Sequence, residues 1–94
     1  MSKSIERLHA QVYGRVQGVS FRFYTRDAAV MLGLTGWVAN CYDGSVEVVA
    51  EGPRAKLDSL LEFLQHGPSM ARVDRVQADF TPATREFVYF TIEM

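Results

Sequence analysis

One cysteine, Cys41, stands in this 94-residue chain. It excludes an internal disulfide framework and a multi-thiolate metal centre. Two separated histidines, His9 and His66, add no ligand cluster. Neither sign of charge dominates: 10 Lys and Arg stand against 11 Asp and Glu, a formal net charge of -1. No long-range field favours nucleic acid or acidic membranes, and any anion specificity must be local. Long apolar runs are missing too. Nothing approaches the ~20 residues needed to cross a bilayer, and the start, Met1-Ser2-Lys3-Ser4-Ile5-Glu6-Arg7, has no apolar signal core. These absences predict a soluble, cytoplasmic protein without metal, cofactor, nucleic-acid or membrane partner; a monomer is expected. With no repeat, low-complexity tract or linker, residues 1–94 read as one domain behind a loose lead over 1–6. The length lies above the roughly 60 residues at which burial becomes marginal.

What is present is periodic. Leu8, Ala10 and Val12 alternate with His9, Gln11 and Tyr13, the signature of a strand with one buried face. His9 falls on the polar phase and reads as a solvated sheet residue. Ser20 can cap a helix in which Phe21, Tyr24, Ala28, Met31 and Leu32 form an apolar face, with Met31 as core filling and Gly33 ending it. Thr35 to Cys41 reads as a second strand. Asp43-Gly44 predicts a type I′ hairpin turn into a third, whose Val46, Val48 and Ala50 face the core. Pro53 suits a first helical position, and Leu57, Leu60, Leu61 and Leu64 form a clear helical stripe ended by His66-Gly67-Pro68. Val76, Ala78 and Phe80, then Val88, Phe90 and Ile92 after a Thr81–Thr84 turn, predict the last two strands. The order implies an α+β, ferredoxin-like split βαβ sandwich: an antiparallel sheet of four to five strands, two helices on one face and water on the other.

The first strand and first helix are joined by Gly14-Arg15-Val16-Gln17-Gly18-Val19-Ser20-Phe21-Arg22. Two glycines let the backbone turn so that successive N–H groups point into one concavity, joined by the unpaired donors of the helix N-terminus. Arg22 sits in the first turn, where a cation opposes the macrodipole at roughly 0.3–1 kcal/mol. Such a local violation is expected where a site is being built. Asn40, a polar residue in phase with Val38, ends a strand close to this loop in the predicted topology. From the residues alone it serves equally as a hairpin-terminal Asn satisfying backbone groups.

The nonapeptide, followed by Gly36-Trp37-Val38-Ala39-Asn40 and Asp43-Gly44-Ser45-Val46-Glu47, resembles the acylphosphatase family over nearly the whole chain. The resemblance implies hydrolysis of the carboxyl-phosphate bond of small acyl phosphates to a carboxylate and inorganic phosphate. Arg22 and Asn40 take the positions of the family's two catalytic residues. Backbone N–H groups of Arg15, Val16, Gln17, Gly18, Val19 and Ser20 would surround the phosphoryl oxygens, and phosphate or sulfate would compete there. A carboxylate leaves without protonation, so a site with no metal cluster and no paired histidine suffices. Cys41 stands where relatives often carry a hydroxyl residue, and reads as an inert strand residue rather than a nucleophile. The alternative is a non-catalytic phosphate-binding regulatory module of the same fold, since a cradle with an arginine binds anions whether or not chemistry follows. An RNA-binding sheet fits poorly: apart from Tyr13, its exposed phase offers His9, Gln11, Glu47 and Glu51.

Overall fold

A computed structural model describes residues 4–93, and the alternating runs form its sheet. The elements are β1 (Ile5–Arg15), α1 (Phe21–Met31), β2 (Thr35–Asn40), β3 (Val46–Pro53), α2 (Arg54–His66), β4 (Arg72–Pro82) and β5 (Phe90–Ile92). The strand order is β4-β1-β3-β2-β5. The first four pair antiparallel, whereas β5 lies parallel to β2, so the sheet is mixed rather than wholly antiparallel. Leu8, Ala10, Val12, Val38, Val46, Val48 and Ala50 meet Phe21, Ala29, Leu57, Leu60 and Leu64 of the helices in one core. Each fully buried Leu contributes about 1.5–3 kcal/mol by leaving water. This is the expected ferredoxin-like sandwich.

Several local expectations are corrected. The lead predicted over 1–6 lies partly outside the described residues, and Ile5 and Glu6 already pair with Pro53 and Gly52 in β1. The buried stripe of α1 is Phe21, Thr25 and Ala29, while Tyr24 is half exposed and Met31 is 87% exposed. Met31 therefore fills no core. The β2–β3 connection is not type I′, because Gly44 alone of its tip has positive φ, at 91°. Gly44 N–H bonds the Cys41 carbonyl at 3.1 Å and Cys41 N–H bonds that of Ser45 at 2.9 Å, a three-residue loop closed by one left-handed residue. Pro53 caps α2 from just outside. The last strand keeps only three residues, and Val88 is exposed.

The outer sheet face is also less wet than its pattern suggests. Glu51, on the polar phase of β3, is only 3% exposed because the segment after β4 crosses over it. Arg7 Nε donates to its Oε2 at 2.8 Å, as does the Thr84 N–H at 2.9 Å, while the Arg85 N–H donates to Oε1 at 2.9 Å. Arg85 adopts a left-handed φ of 62° to do so. Burial opposes ionisation of Glu51, but the backbone N–H of Thr84, the Arg7 guanidinium and the N–H of Arg85 together hold its pKa below the usual carboxylate value.

Glu51→Ala should therefore destabilise the fold by about 2–3 kcal/mol, the scale of lost hydrogen bonds to a charged group, and lower Tm accordingly. Because the folded pKa is depressed, this stabilisation is complete above the ordinary carboxylate pKa, about 4.3, and is lost as pH falls through the folded value. The gap in Tm between parent and variant should be wide at pH 7 and close in more acid solution. A gap independent of pH would contradict an ionised Glu51.

Candidate active site

A bulge between Tyr13 and Gly14 shifts the register of β1 against β4, and the pairing runs on through Gly14 with Val73 and Arg15 with Arg72 to the start of the loop. Gly14 has φ 132°, and a Cβ there would collide with the Arg72 carbonyl, so no larger residue fits. At the loop's other end Ser20 is left-handed, φ 61°, with no side-chain cap; its carbonyl instead accepts the Tyr24 N–H at 3.1 Å. The predicted hydroxyl cap is thus replaced by a strained turn, a conformation that typically costs about 1–3 kcal/mol and concentrates at functional sites. Immediately afterwards Phe21 is locked in the core, 6.2 Å ring to ring from Phe63 and against Gly67 beyond α2. Anchoring Phe21 fixes the direction in which its neighbour Arg22 leaves the helix.

Arg22, half-buried, donates from Nη1 to the Glu93 carbonyl at 3.3 Å, and Glu93 N–H is itself bonded to the Val38 carbonyl at 2.8 Å. No acidic residue lies in the first turn of α1, so the guanidinium and the positive helix pole share one electropositive place. Asn40 reaches the same place because it continues the core-facing phase of Val38, one residue pair beyond the covered part of β2. Its Oδ1 is enclosed without a hydrogen-bond partner among the described residues. An unpaired buried polar atom carries a cost, and at the edge of a cavity it is placed to bond a molecule that enters there. Arg22 and Asn40 face one cavity of about 270 Å³ together with Val16, Gly18, Ser20, Phe21 and Phe23.

Not every expected residue turns to that cavity. Arg15 and Val19 border an adjoining groove, and the Val16 side chain is buried. Gln17 points away: its Nε2 donates to the Cys41 carbonyl at 2.8 Å and to the Ser45 carbonyl at 2.9 Å. One amide thus ties the loop to the hairpin that carries Asn40. Cys41 lies beyond, approached by Gln11 Nε2 at 3.3 Å and 3.8 Å from Glu47 Oε1, and Gln11 also bonds Ser45 Oγ at 2.7 Å. Asp43 steadies the hairpin tip; the Ser45 hydroxyl and then its N–H, both donating to the carboxylate, lower the Asp43 pKa. His9 is paired with Glu47 at 2.7 Å on the outer face, away from the cavity lining. The anchoring side chain of Gln17 and the Glu93 carbonyl are the site features that sequence reading missed. The double glycine around Gln17 could have signalled a loop needing a tether, but nothing local named its partner.

Comparison with known proteins places this geometry in context. The acylphosphatase family pattern matches residues 8–92. A curated acylphosphatase of Marinobacter nauticus is 51% identical over 87 residues, covering 93% of this chain and 95% of that one. Among solved structures, an acylphosphatase from Bacillus subtilis superposes with a TM-score of 0.91 at 34% identity, covering 95% of this chain and 99% of that one. One from Coxiella burnetii gives 0.90 at 37% identity, covering 99% of each.

The tether itself can be tested. Gln17→Ala removes one of the two donors on each of those carbonyls and should cost about 0.5–1.5 kcal/mol per bond. Gln17→Glu sets carboxylate oxygens against those carbonyls and should cost more. Thermal melts of the two variants at pH 7 check the order; equal stability of Gln17→Glu and the parent would show that the amide is no tether.

Proposed function

The chain belongs to the acylphosphatase family, and on that premise we propose that it hydrolyses acyl phosphates at the cavity shared by Arg22 and Asn40. Family membership favours catalysis over an anion-binding module that performs no chemistry. The single observation that carries the site assignment is the convergence of Arg22, the loop and Asn40 on one cavity at the start of α1.

In this reading the phosphoryl group lies against the backbone N–H groups of Arg15 to Ser20, with Arg22 gripping two of its oxygens. Asn40 holds a water in line with the bond to be broken. Its amide takes up no proton at neutral pH, so it positions and does not act as a base. The water oxygen bonds to phosphorus as the bond from phosphorus to the bridging oxygen breaks, and that electron pair leaves on the carboxylate. One water proton stays on the attacking oxygen and the other passes to a phosphoryl oxygen, giving a carboxylate and dihydrogen phosphate. Because the leaving group needs no proton, the absence of a general acid among the cavity residues is no obstacle. Phosphate monoesters, whose alkoxide does need one, should be poor substrates. The protein would act as a cytoplasmic monomer of one domain.

Turnover of benzoyl phosphate in the presence of a chelator tests the activity: hydrolysis well above background is expected, and a requirement for added divalent metal would overturn the mechanism. Phosphate and sulfate should stabilise the fold by about 2.7 kcal/mol at a hundredfold excess over Kd and so raise Tm, where chloride at matched ionic strength does not.

The two side chains separate in their variants. Arg22→Ala should weaken phosphate binding and turnover together, and Arg22→Lys should not restore them, since an ammonium lacks the planar fork. Asn40→Ala should lower kcat on the order of a hundredfold with phosphate affinity nearly intact, as for loss of one preorganised group. If Asn40→Ala loses phosphate affinity as severely as Arg22→Ala, Asn40 is a phosphate ligand instead.

A further inference from the structure

Beside the cavity of Arg22 and Asn40 lies a second, larger groove of about 420 Å³. The two share Gly18 and Ser20, so they adjoin along the edge of the loop. A Cβ added to Gly18 would meet nothing within 4 Å, which leaves open space over that residue. The groove is walled by Val19, by Tyr24 of α1, and by Pro68 and Met70 of the α2–β4 connection, with Arg15 beside them.

Two features distinguish this groove from ordinary surface. Tyr24 and Met70 are 52% and 70% exposed, large apolar groups that the core does not use, brought together from segments more than forty residues apart. Arg15 is exposed and makes no ion pair or side-chain hydrogen bond among the described residues, and no carboxylate lines the groove. An apolar wall with one free guanidinium suits a molecule whose body is apolar and whose end is anionic.

From these observations we infer that the groove is the acyl site, which takes an aromatic or bulky apolar acyl group, with Arg15 next to the carboxylate that departs. This rests on the hydrolytic reading above and extends it to substrate class. With phosphorus held at the first cavity, the acyl carbon lies only two bonds away through the bridging oxygen, so the acyl body must leave by an adjoining space. The groove adjoins where it is needed. An acetyl group is too small to reach both Tyr24 and Met70, whereas a benzoyl ring presents a flat face to tyrosine and an edge to methionine sulfur. The chain should therefore discriminate among acyl phosphates by the size of the acyl part.

The test compares benzoyl phosphate with acetyl phosphate in the parent, Tyr24→Ala, Met70→Ala and the double variant. Both side chains are largely exposed, so melting curves should shift little and serve as the folding check. The ratio of kcat/KM for benzoyl over acetyl phosphate should fall about tenfold in the double variant, the scale on which an apolar pocket discriminates. A ratio unchanged by both substitutions would overturn the assignment, whatever happens to the absolute rates. Binding of benzoylphosphonate and acetylphosphonate, measured by calorimetry, separates this proposal from the one beneath it. If the parent hydrolyses neither substrate yet prefers the benzoyl analogue, and the double variant loses that preference, the activity reading falls and the groove stands. Equal binding of the two analogues by the parent would remove the groove.

Discussion

The carboxamide of Gln17 has two hydrogens, and each lies on a carbonyl of the β2–β3 hairpin. Those bonds connect the two halves of the site, because the loop bearing the N–H groups follows β1 while Asn40 ends β2. Neither half holds the other through its own secondary structure. A glycine-bounded loop left to itself samples many shapes, and ordering each residue costs about 1–2 kcal/mol. Fastening it at its midpoint to a hairpin stiffened by Asp43 and Ser45 removes much of that freedom before any anion arrives. Preorganised donors stabilise developing charge because they need no rearrangement when it appears. A single side chain thus converts two flexible connections into one rigid wall.

The opposite wall is held by different means. Phe21 is clamped between Phe63 and Gly67, and Arg22 is braced by a backbone carbonyl at the end of β5. The parallel strand β5 is only three residues long, yet it brings Glu93 beside α1 and couples the chain's last described residue to its candidate phosphate ligand. The same terminal segment, on its way there, covers Glu51 on the far face of the sheet. One stretch therefore seals one side of the sheet and braces an arginine at the site.

Much of this was legible in the sequence wherever an argument depended on near neighbours. The strands announced themselves by alternation, and α2 by Leu57, Leu60 and Leu64. Arg22 stood out because a cation in the first turn breaks a local rule, and Asn40 because it shares the phase of Val38. In α1 the three- and four-residue steps can be drawn through Tyr24 and Met31 as readily as through Phe21, Thr25 and Ala29. Thr25 and Ala29 carry too little apolar surface to reveal that their side is the buried one. The partners of Gln17 lie 24 and 28 residues away, those of Glu51 up to 44, and that of Arg22 71. Pairings over such separations are decided by the whole fold, and no local periodicity encodes them. The type I′ turn failed for a nearer reason: Gly44 supplies one positive φ, and Asp43, bonded to Ser45, does not supply the second.

The position of β1 in the sheet also dictates when the molecule can come into being. It is made before the other described strands, but Leu8 pairs with Ala50 on one side and Phe80 on the other. This early strand must wait unpaired until β3 is made, and with one edge open until β4 follows. Its neighbours can join it only by closing long loops, an entropic toll that slows β-rich topologies relative to helical bundles of the same size. During that interval the apolar face of β1 is open to other nascent chains, which makes the interval before β4 emerges the time of greatest exposure to misassembly.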